Sequence, residues 1–273
     1  MPIQRAARKP GRETAPDPEK QDRKFVTALA RGLEILHAFT PSDHLLGNQE
    51  IAERTGLPKP TVSRLTYTLT RLGYLDHAAR LGKYQLATGV LALGYSVLSG
   101  MGIRRLARPF MQELAEQANA SVSLGSRHRL DVVYIEHARP TTPLTLRLDV
   151  GSWIPIATTA MGRALLAAMP ESERRNVLGH LARSDPRHWP QRRAGVERAI
   201  EHYHAHGFTL SLGEWQPDIH AVGVPIALPD GSGVLAFNCG GPAFLLPRDR
   251  LVEELGPRLV LLMRNVEAAL MRR

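Results

Sequence analysis

The sequence has few groups that could crosslink it or anchor it in a membrane. It holds one cysteine, Cys239, in 273 residues, which excludes an internal disulfide and any paired-cysteine metal clip. It has no run of eighteen apolar residues, and its first two dozen residues lack the apolar stretch of a signal peptide. We therefore expect a protein of the reducing cytoplasm with no membrane partner.

Common catalytic motifs are also missing. The chain contains no GxSxG, no P-loop, no HExxH and no GxGxxG that opens a helix after a strand. The segment EHYHAHG places His202 and His206 at metal-ligand spacing on one helix face, with His204 between them. Histidines near a helix C-terminus are favoured by the helix dipole alone, so we expect solvated side chains there. The sequence thus predicts no metal, no cofactor, no catalytic residue and no enzyme.

Positive charge predominates, with a formal net charge of +9 and an isoelectric point near 10.2. Such an excess indicates a polyanionic partner. All five lysines lie in the first 83 residues and the remainder carries only arginine, which separates two regions. The length exceeds the usual span of one domain, and 43% apolar residues are enough for ordinary cores, so we expect two domains.

Residues 48–74, NQEIAERTGLPKPTVSRLTYTLTRLGY, have the pattern of a helix-turn-helix. Gly56 supplies the left-handed residue that ends a short first helix, and Pro58 blocks its continuation. A second helix opens near Pro60, where the missing N–H costs nothing. Its predicted buried face, at three- and four-residue spacing, consists of Val62, Leu65, Leu69 and Leu72.

The opposite face of this second helix is polar and basic, which suits contacts with phosphates and base edges. Two short strands, 74–75 and 84–86, enclose a loop and predict a wing. Between residues 54 and 83 six cations face one anion, so the positive field peaks at the motif. The alternative is a small helical domain with a solvated basic face. The predicted DNA-binding residues are Lys59, Pro60, Thr61, Ser63, Arg64 and Tyr67 in the helix and Arg80 and Lys83 in the wing.

Helical spacing also marks the segments before and after this motif. Residues 25–39 predict a first helix that packs under the motif through Val26, Leu29, Leu33, Leu36 and Phe39. Residues 88–99 form a mostly apolar helix too short to span a membrane, which we interpret as a connector. The predicted organisation is a disordered basic arm (1–22), a winged helix-turn-helix domain (23–87), a linker helix (88–100) and a second domain (101–273).

The second domain alternates helices and strands, which predicts a mixed sheet with helices on it. The expected strands are 121–126, 131–136, 144–148, 208–212, 221–228 and 233–238. The expected helices are an amphipathic one through Ile103 and Leu114, one over 160–169 capped by Thr158 or Thr159, one over 196–206, and a long final one from Pro247 kinked near Gly256. The fold class is therefore α+β, with a mixed α/β second domain.

From Phe25 onward the chain resembles the IclR family of bacterial transcriptional regulators. The similarity lies in RGLEIL at 31–36, in GLPKPTVSRL at 56–65, and in TAMGRALLA at 159–167. It implies a winged helix-turn-helix, a linker helix and a GAF-like effector-binding domain. It further implies a homodimer joined through the DNA-binding part, or a dimer of dimers, on double-stranded operator DNA.

The resemblance also indicates where a small organic acid would bind. A helix that begins at 159–162 presents backbone N–H groups and a positive dipole end to a carboxylate. Relatives that bind small keto acids use this helix start and two later strands, where this chain has different side chains at Ser211, Ala221, Asn238 and Gly240. The segment 155–163 is closer to the branch that responds to hydroxylated aromatic acids. The predicted effector-binding residues are Thr158, Thr159, Ala160, Met161, Gly162, Ser211, Ala221, Asn238 and Gly240.

The sequence thus predicts a ligand-responsive transcriptional regulator, repressor or activator, that binds a near-palindromic operator. Two other classes stay open. One is an architectural DNA-binding protein without an effector, and the other is a small-molecule enzyme with a helical appendage. The predicted effector-binding residues also have a purely structural interpretation, in which Thr158 and Thr159 only cap a helix and Asn238 only ends a strand.

Overall fold

The computed structural model describes residues 24–40, 43, 45–141 and 148–272. The chain divides between Gly100 and Met101 into two compact units. The basic arm expected at 1–22 lies outside the described residues. No helix among the residues described is both long and apolar enough to cross a membrane.

The first unit is a helix-turn-helix with a small sheet. Its elements are α1 (Thr27–His37), β1 (Leu46–Gly47), α2 (Asn48–Thr55), α3 (Lys59–Arg71), β2 (Leu75–Ala78), β3 (Lys83–Leu86) and α4 (Thr88–Gly100). Gly56 ends α2 with φ of 75°, as its position before Pro58 predicts. The three strands pair antiparallel in the order β1-β3-β2, so the predicted wing forms around the turn that joins β2 to β3.

Two expectations about the core of this unit are wrong. The core contains Ile35, Leu46, Ile51, Val62, Leu69 and Leu75. Leu72 is 63% exposed, because the buried stripe of α3 instead continues through Thr66, whose hydroxyl is bonded to the Val62 carbonyl at 3.0 Å. In α1 the packed face is Ile35 and its neighbours, while Leu29 and Leu33 are 63% and 50% exposed. Periodicity locates an apolar face but does not say which apolar face the protein itself covers.

The second unit consists of a six-stranded sheet and its covering helices. The strands are β4 (Ser121–His128), β5 (Asp131–Ala138), β6 (Trp153–Pro155), β7 (Thr209–Leu212), β8 (Ile219–Ala227) and β9 (Val234–Pro242). Their order is β6-β5-β4-β9-β8-β7. The helices are α5 (Gly102–Ala118), α6 (Ala160–Ala168), α7 (Glu171–Ser184), α8 (Trp189–His206), α9 (Arg248–Arg250), a π-helical turn (Leu251–Leu255) and α10 (Gly256–Met271).

Helix α6 lies unusually close to the sheet. It packs on β8 and β9 with α8 beside it. Helix α10 also packs on β8 and β9, and α5 packs on β4, β5 and α10. A Cβ at Gly125 would stand 2.4 Å from the Met161 sulfur, and one at Gly223 would stand 2.5 Å from the Ala160 carbonyl oxygen. Glycine at these two positions therefore lets the first turn of α6 rest on the strands.

Several sequence expectations need correction in this unit. The sheet was expected to be mixed, but every described strand pair in it is antiparallel. The expected strand 144–148 falls mainly outside the described residues, and helix α7 and strand β6 were not predicted. Helix α8 begins at Trp189, well before the expected residue 196. The irregularity expected near Gly256 is the π-helical turn directly before it.

Candidate nucleic-acid interface and effector cavity

The exposed face of α3 carries the predicted DNA contacts of that helix. Lys59, Pro60, Ser63 and Arg64 are exposed and Thr61 is half-buried. Tyr67 leaves 66% of its surface in solvent, an unusual exposure for an aromatic side chain. The buried side chains Val62, Thr66 and Leu69 hold the opposite face against the core. The helix can therefore present a polar and basic surface without disturbing its own packing.

Two of the six cations between residues 54 and 83 form ion pairs within the first unit. Arg54 binds the Asp43 carboxylate and donates a hydrogen bond to the Ala38 carbonyl at 2.9 Å. The hydrogen bond from Arg54 holds the pKa of Asp43 well below its ordinary value. Lys83 lies 3.1 Å from the Glu50 carboxylate, which also accepts the Gly47 N–H at 2.7 Å.

Asp43 precedes the helix-turn-helix and Glu50 lies in its first helix. Neither carboxylate was included in the count of charges between residues 54 and 83. The exposed positive charge is thus concentrated on Lys59, Arg64, Arg71 and Arg80. Lys83 is half-buried in its ion pair and is a weaker candidate for DNA contact than its place in the wing suggests.

A small cavity lies at the N-terminus of α6. Six of the nine predicted effector-binding residues line it: Thr159, Ala160, Ser211, Ala221, Asn238 and Gly240. Strand register brings the last four together, because Ser211 pairs with Ala221 and Ala221 pairs with Gly240, two residues after Asn238. Thr158, Met161 and Gly162 are buried but do not line the cavity. Met161 packs toward Gly125 instead.

Four lining residues were missed by sequence reasoning: Tyr134, Ile154, Trp215 and Ile219. They come from β5, β6, β8 and the loop before β8, which are far apart in sequence. Together they give the cavity apolar and aromatic walls. The volume open to the centre of a water molecule is only about 20 Å³, so the site is nearly closed in this structure.

The polar groups of the cavity are specifically arranged. The Thr159 hydroxyl accepts the Gly162 N–H at 3.2 Å and so caps α6, and the Ser211 hydroxyl donates to the Thr158 carbonyl at 2.8 Å. Burial raises the pKa of the Tyr134 phenol to about 12, although hydrogen bonds with Ser123 and Asn238 act in the opposite direction. The Asn238 side chain is 93% buried, and its Oδ1 has no partner. A buried oxygen without a donor is available to a bound molecule.

A buried arginine ties the loop between β7 and β8 to α6. The Arg163 side chain, 3% exposed, donates to the carbonyls of Ala157 at 3.0 Å and Leu210 at 2.9 Å. It also binds the Glu214 carboxylate at 2.8 Å. Burial would raise the pKa of Glu214, but the charge and hydrogen bond of Arg163 outweigh it and leave that pKa below its ordinary value. Trp215, the next residue, lines the cavity, so this contact positions part of the cavity wall.

The histidines of the segment EHYHAHG and Cys239 have surroundings typical of side chains with a structural role. The rings of His202 and His206 lie 4.4 Å apart, and His202 Nδ1 is bonded to the Phe208 carbonyl at 2.9 Å. In the described ranges no three His, Cys, Asp or Glu side chains are grouped so that they could hold a metal ion. Cys239 is buried, and burial raises the pKa of its thiol to about 12.

Comparison with known families gives two matches that cover most of the chain. Residues 28–78 match the IclR helix-turn-helix domain, and residues 95–259 match the family described as bacterial transcriptional regulator IclR C-terminal. The HTH-type transcriptional regulator TsaQ1/TsaQ2 of Comamonas testosteroni is 37% identical over 89% of this chain and 88% of its own length.

Solved structures of other proteins also match this fold. The IclR family transcriptional regulator from Brucella abortus is 50% identical, covers 93% of this chain and 95% of its own, and gives a TM-score of 0.85. An IclR homolog from Microbacterium hydrocarbonoxydans, solved in complex with 4-hydroxybenzoate, is 20% identical, covers 90% of this chain and 100% of its own, and gives a TM-score of 0.67. At that identity the second structure shows a shared fold.

These matches agree with the architecture described above. A helix-turn-helix with a two-stranded wing precedes a sheet domain that encloses a small cavity. The matched proteins are regulators of transcription and not enzymes. The chain therefore belongs to the IclR family of bacterial transcriptional regulators, with a helix-turn-helix DNA-binding domain and a C-terminal effector domain.

Proposed function

We propose that this regulator binds a near-palindromic operator as a homodimer, and that a small organic acid in the cavity at α6 controls the binding. The observation that carries the proposal is the pairing of an exposed basic recognition face on α3 with a separate, nearly closed cavity in the other unit. Two α3 helices in successive major grooves would lie about 34–36 Å apart. The site of action is the cytoplasm, where the operator is found.

The proposed base and phosphate contacts are on α3 and the wing. Arg64 is the candidate for reading a guanine edge, since it is exposed in the middle of the recognition face. Lys59, Pro60, Thr61, Ser63 and Tyr67 complete the helix surface, and Arg80 and Lys83 contact the backbone from the wing. Phosphate contacts position the protein, while base contacts provide the sequence preference.

Exposed apolar surface in the first unit supports the homodimer. Phe25, Val26, Leu29 and Leu33 are 50–63% exposed, and α4 has no buried residue while it exposes Leu91, Leu93, Tyr95 and Val97. A monomer rarely leaves so many large apolar side chains in water, and a second copy would cover them. Sedimentation should show a dimer that Leu29→Lys dissociates and that the matched control Glu34→Lys on the same helix does not. A wild-type monomer that still binds operator DNA tightly would refute this part of the proposal.

The cavity favours a hydroxylated aromatic acid. Thr159 and Ala160 place the positive end of the α6 dipole at one wall, which suits a carboxylate. Tyr134 and Trp215 offer surfaces for an aromatic ring. The unpartnered Asn238 Oδ1 can accept a hydrogen bond from a ligand hydroxyl. Because the cavity holds about one water as it stands, the ligand must displace a wall, and the Trp215 loop is the segment we expect to move.

A ligand pair tests this chemistry. 4-Hydroxybenzoate is the probe, and benzoate is the matched ligand without the hydroxyl. In the wild type we expect 4-hydroxybenzoate to bind more tightly by a factor of about 5–10, the typical worth of one hydrogen bond. In Asn238→Leu that preference should vanish while the benzoate affinity changes little. Equal affinities of both acids for the wild-type protein would remove the proposed role of Asn238.

The same titrations separate the two remaining classes. An architectural DNA-binding protein would gain no thermal stability from any small acid, whereas a protein with a ligand pocket gains stability that rises with the ratio of ligand concentration to Kd. Turnover of the acid would indicate an enzyme. In a ligand-controlled regulator, operator DNA and the acid must alter each other's affinity by the same factor. Identical acid titrations with and without operator DNA would contradict the proposed control.

A further inference from the structure

A second cleft in the effector unit lies apart from the cavity at α6. Its lining consists of Arg104, Arg108, Gln112, Glu136, His137, Arg139, Asp149 and Val150, and its volume is about 380 Å³. It is far wider than the cavity at α6 and shares no lining residue with it. Seven of its eight lining residues are charged or polar. Such a surface suits a hydrophilic ligand and not an apolar one.

The charges of this cleft leave it net positive. Three guanidinium groups face two carboxylates, for a net charge of +1 with neutral histidine. The buried Glu136 carboxylate binds Arg104 at 2.9 Å and Arg108 at 2.6 Å, which fixes both arginines along the cleft. Arg139 lies 3.0 Å from Asp149 and remains 41% exposed. Each guanidinium has five N–H donors in a rigid fork, so these pairs do not exhaust them.

A buried histidine in the cleft provides a second, independent observation. His137 is 93% buried and lines the cleft, and its Nε2 has no hydrogen-bond partner. Its Nδ1 is bonded to the Ser123 hydroxyl at 2.8 Å. Buried polar nitrogens are nearly always paired, so an unpaired one in a residue that lines this cleft calls for an explanation.

The hydrogen bonds behind His137 indicate which proton it presents. The Ser123 hydroxyl is hydrogen-bonded with the Tyr134 phenol and with Nδ1 of His137, and we assign the tautomer in which this hydroxyl donates to Nδ1. A neutral imidazole that accepts at Nδ1 carries its proton on Nε2. Burial, and then the charge of Arg139, lower the pKa of His137 to about 4, so the ring is neutral at pH 7. The cleft thus offers one N–H donor beside the guanidinium groups.

We propose that this cleft is a second ligand site, which takes a small hydrophilic monocarboxylate on His137, Arg108 and Arg139. A single carboxylate neutralises the net charge of the cleft, and its two oxygens can accept from the imidazole N–H and from a guanidinium fork together. The remaining polar lining suits hydroxyl groups on the body of such an acid. The site does not depend on the effector proposed for the cavity at α6.

The experiment is a calorimetric titration of the full-length protein with lactate, with gluconate and with inorganic phosphate. Lactate or gluconate should bind the wild type, and Arg108→Gln and Arg139→Gln should each weaken that binding at least tenfold. Arg193→Gln is the matched control, because Arg193 pairs with Glu197 at 2.7 Å on an exposed helix surface outside the cleft. That variant should bind as the wild type does.

Two further arms keep the result specific. Arg108→Gln and Arg139→Gln should leave the binding of 4-hydroxybenzoate unchanged, since neither arginine lines the cavity at α6. A failure of the proposed effector chemistry would therefore leave the lactate or gluconate result standing. Binding of phosphate but of neither carboxylate would overturn the assignment, as would carboxylate binding that survives both cleft variants. No binding by any of the three anions would also overturn it.

Discussion

Arg163 is the residue whose replacement should most clearly damage the effector unit without touching its surface. Arg163→Met keeps the length and apolar stem of the side chain but removes every donor. It leaves the Ala157 and Leu210 carbonyls unpaired at positions where they now receive bonds of 3.0 and 2.9 Å. An unsatisfied buried acceptor costs about 1–3 kcal/mol, so we expect a total loss of about 2–4 kcal/mol of unfolding free energy. The Glu214 carboxylate adds little, because it is one-third exposed and can turn to water.

Glu214→Gln is the matched variant. It removes the charge of the pair but can keep a hydrogen bond to Arg163 and leaves both carbonyl bonds in place, so we expect a loss of about 0.5–1 kcal/mol. All three tryptophans, Trp153, Trp189 and Trp215, lie in the effector unit. Tryptophan fluorescence during urea unfolding therefore reports on that unit alone. The reasoning is refuted if Arg163→Met costs less than about 1 kcal/mol, or if the two variants lose equal stability.

Three other outcomes are expected. Gly162→Ala should destabilise the effector unit by about 1–3 kcal/mol, because a Cβ there would stand 2.2 Å from a backbone carbonyl oxygen, whereas Gly179→Ala, with only a side chain 3.6 Å away, should not destabilise it. His137 has a native pKa of about 4 against an ordinary 6.5. Its contribution to the free energy of unfolding is therefore complete above pH 6.5 and is lost as pH falls toward 4. That loss amounts to at most about 3 kcal/mol, and urea unfolding of His137→Gln should lack it. Arg64→Ala should weaken operator binding by about 1–3 kcal/mol and relax one base preference, while Arg80→Ala in the exposed wing should weaken binding to all DNA alike, as a gel-shift series over operator variants would reveal.

Sequence reasoning located the helix-turn-helix well because its signals are local. Gly56 and the prolines at 58 and 60 fix the turn through backbone geometry, and no distant residue is needed to place it. The faces of the helices were less predictable. Leu72 and Leu29 fit an apolar stripe, yet they are exposed, because the identity of the covering element is not encoded in the spacing.

Some residues that line the effector cavity could be predicted from the sequence and others could not. Thr159 and Asn238 could be found from the motif and from strand positions, and register brings their strands together. Tyr134 and Trp215 could not, because their approach depends on the antiparallel order of six strands whose pairing is non-local. The partners of Arg54 and Lys83 were missed for a related reason, since a charge tally along one segment ignores carboxylates that the fold brings in from outside it.

The central claim is that the surface from Lys59 to Arg71 reads the bases of a specific duplex. The most direct measurement is a fluorescence anisotropy titration of the full-length protein against the DNA upstream of its own gene and a scrambled duplex of equal composition, at one fixed salt concentration. The account predicts at least about a thousandfold tighter binding to the upstream DNA, the lower range for specific regulators. Equal affinity for the two duplexes would contradict it.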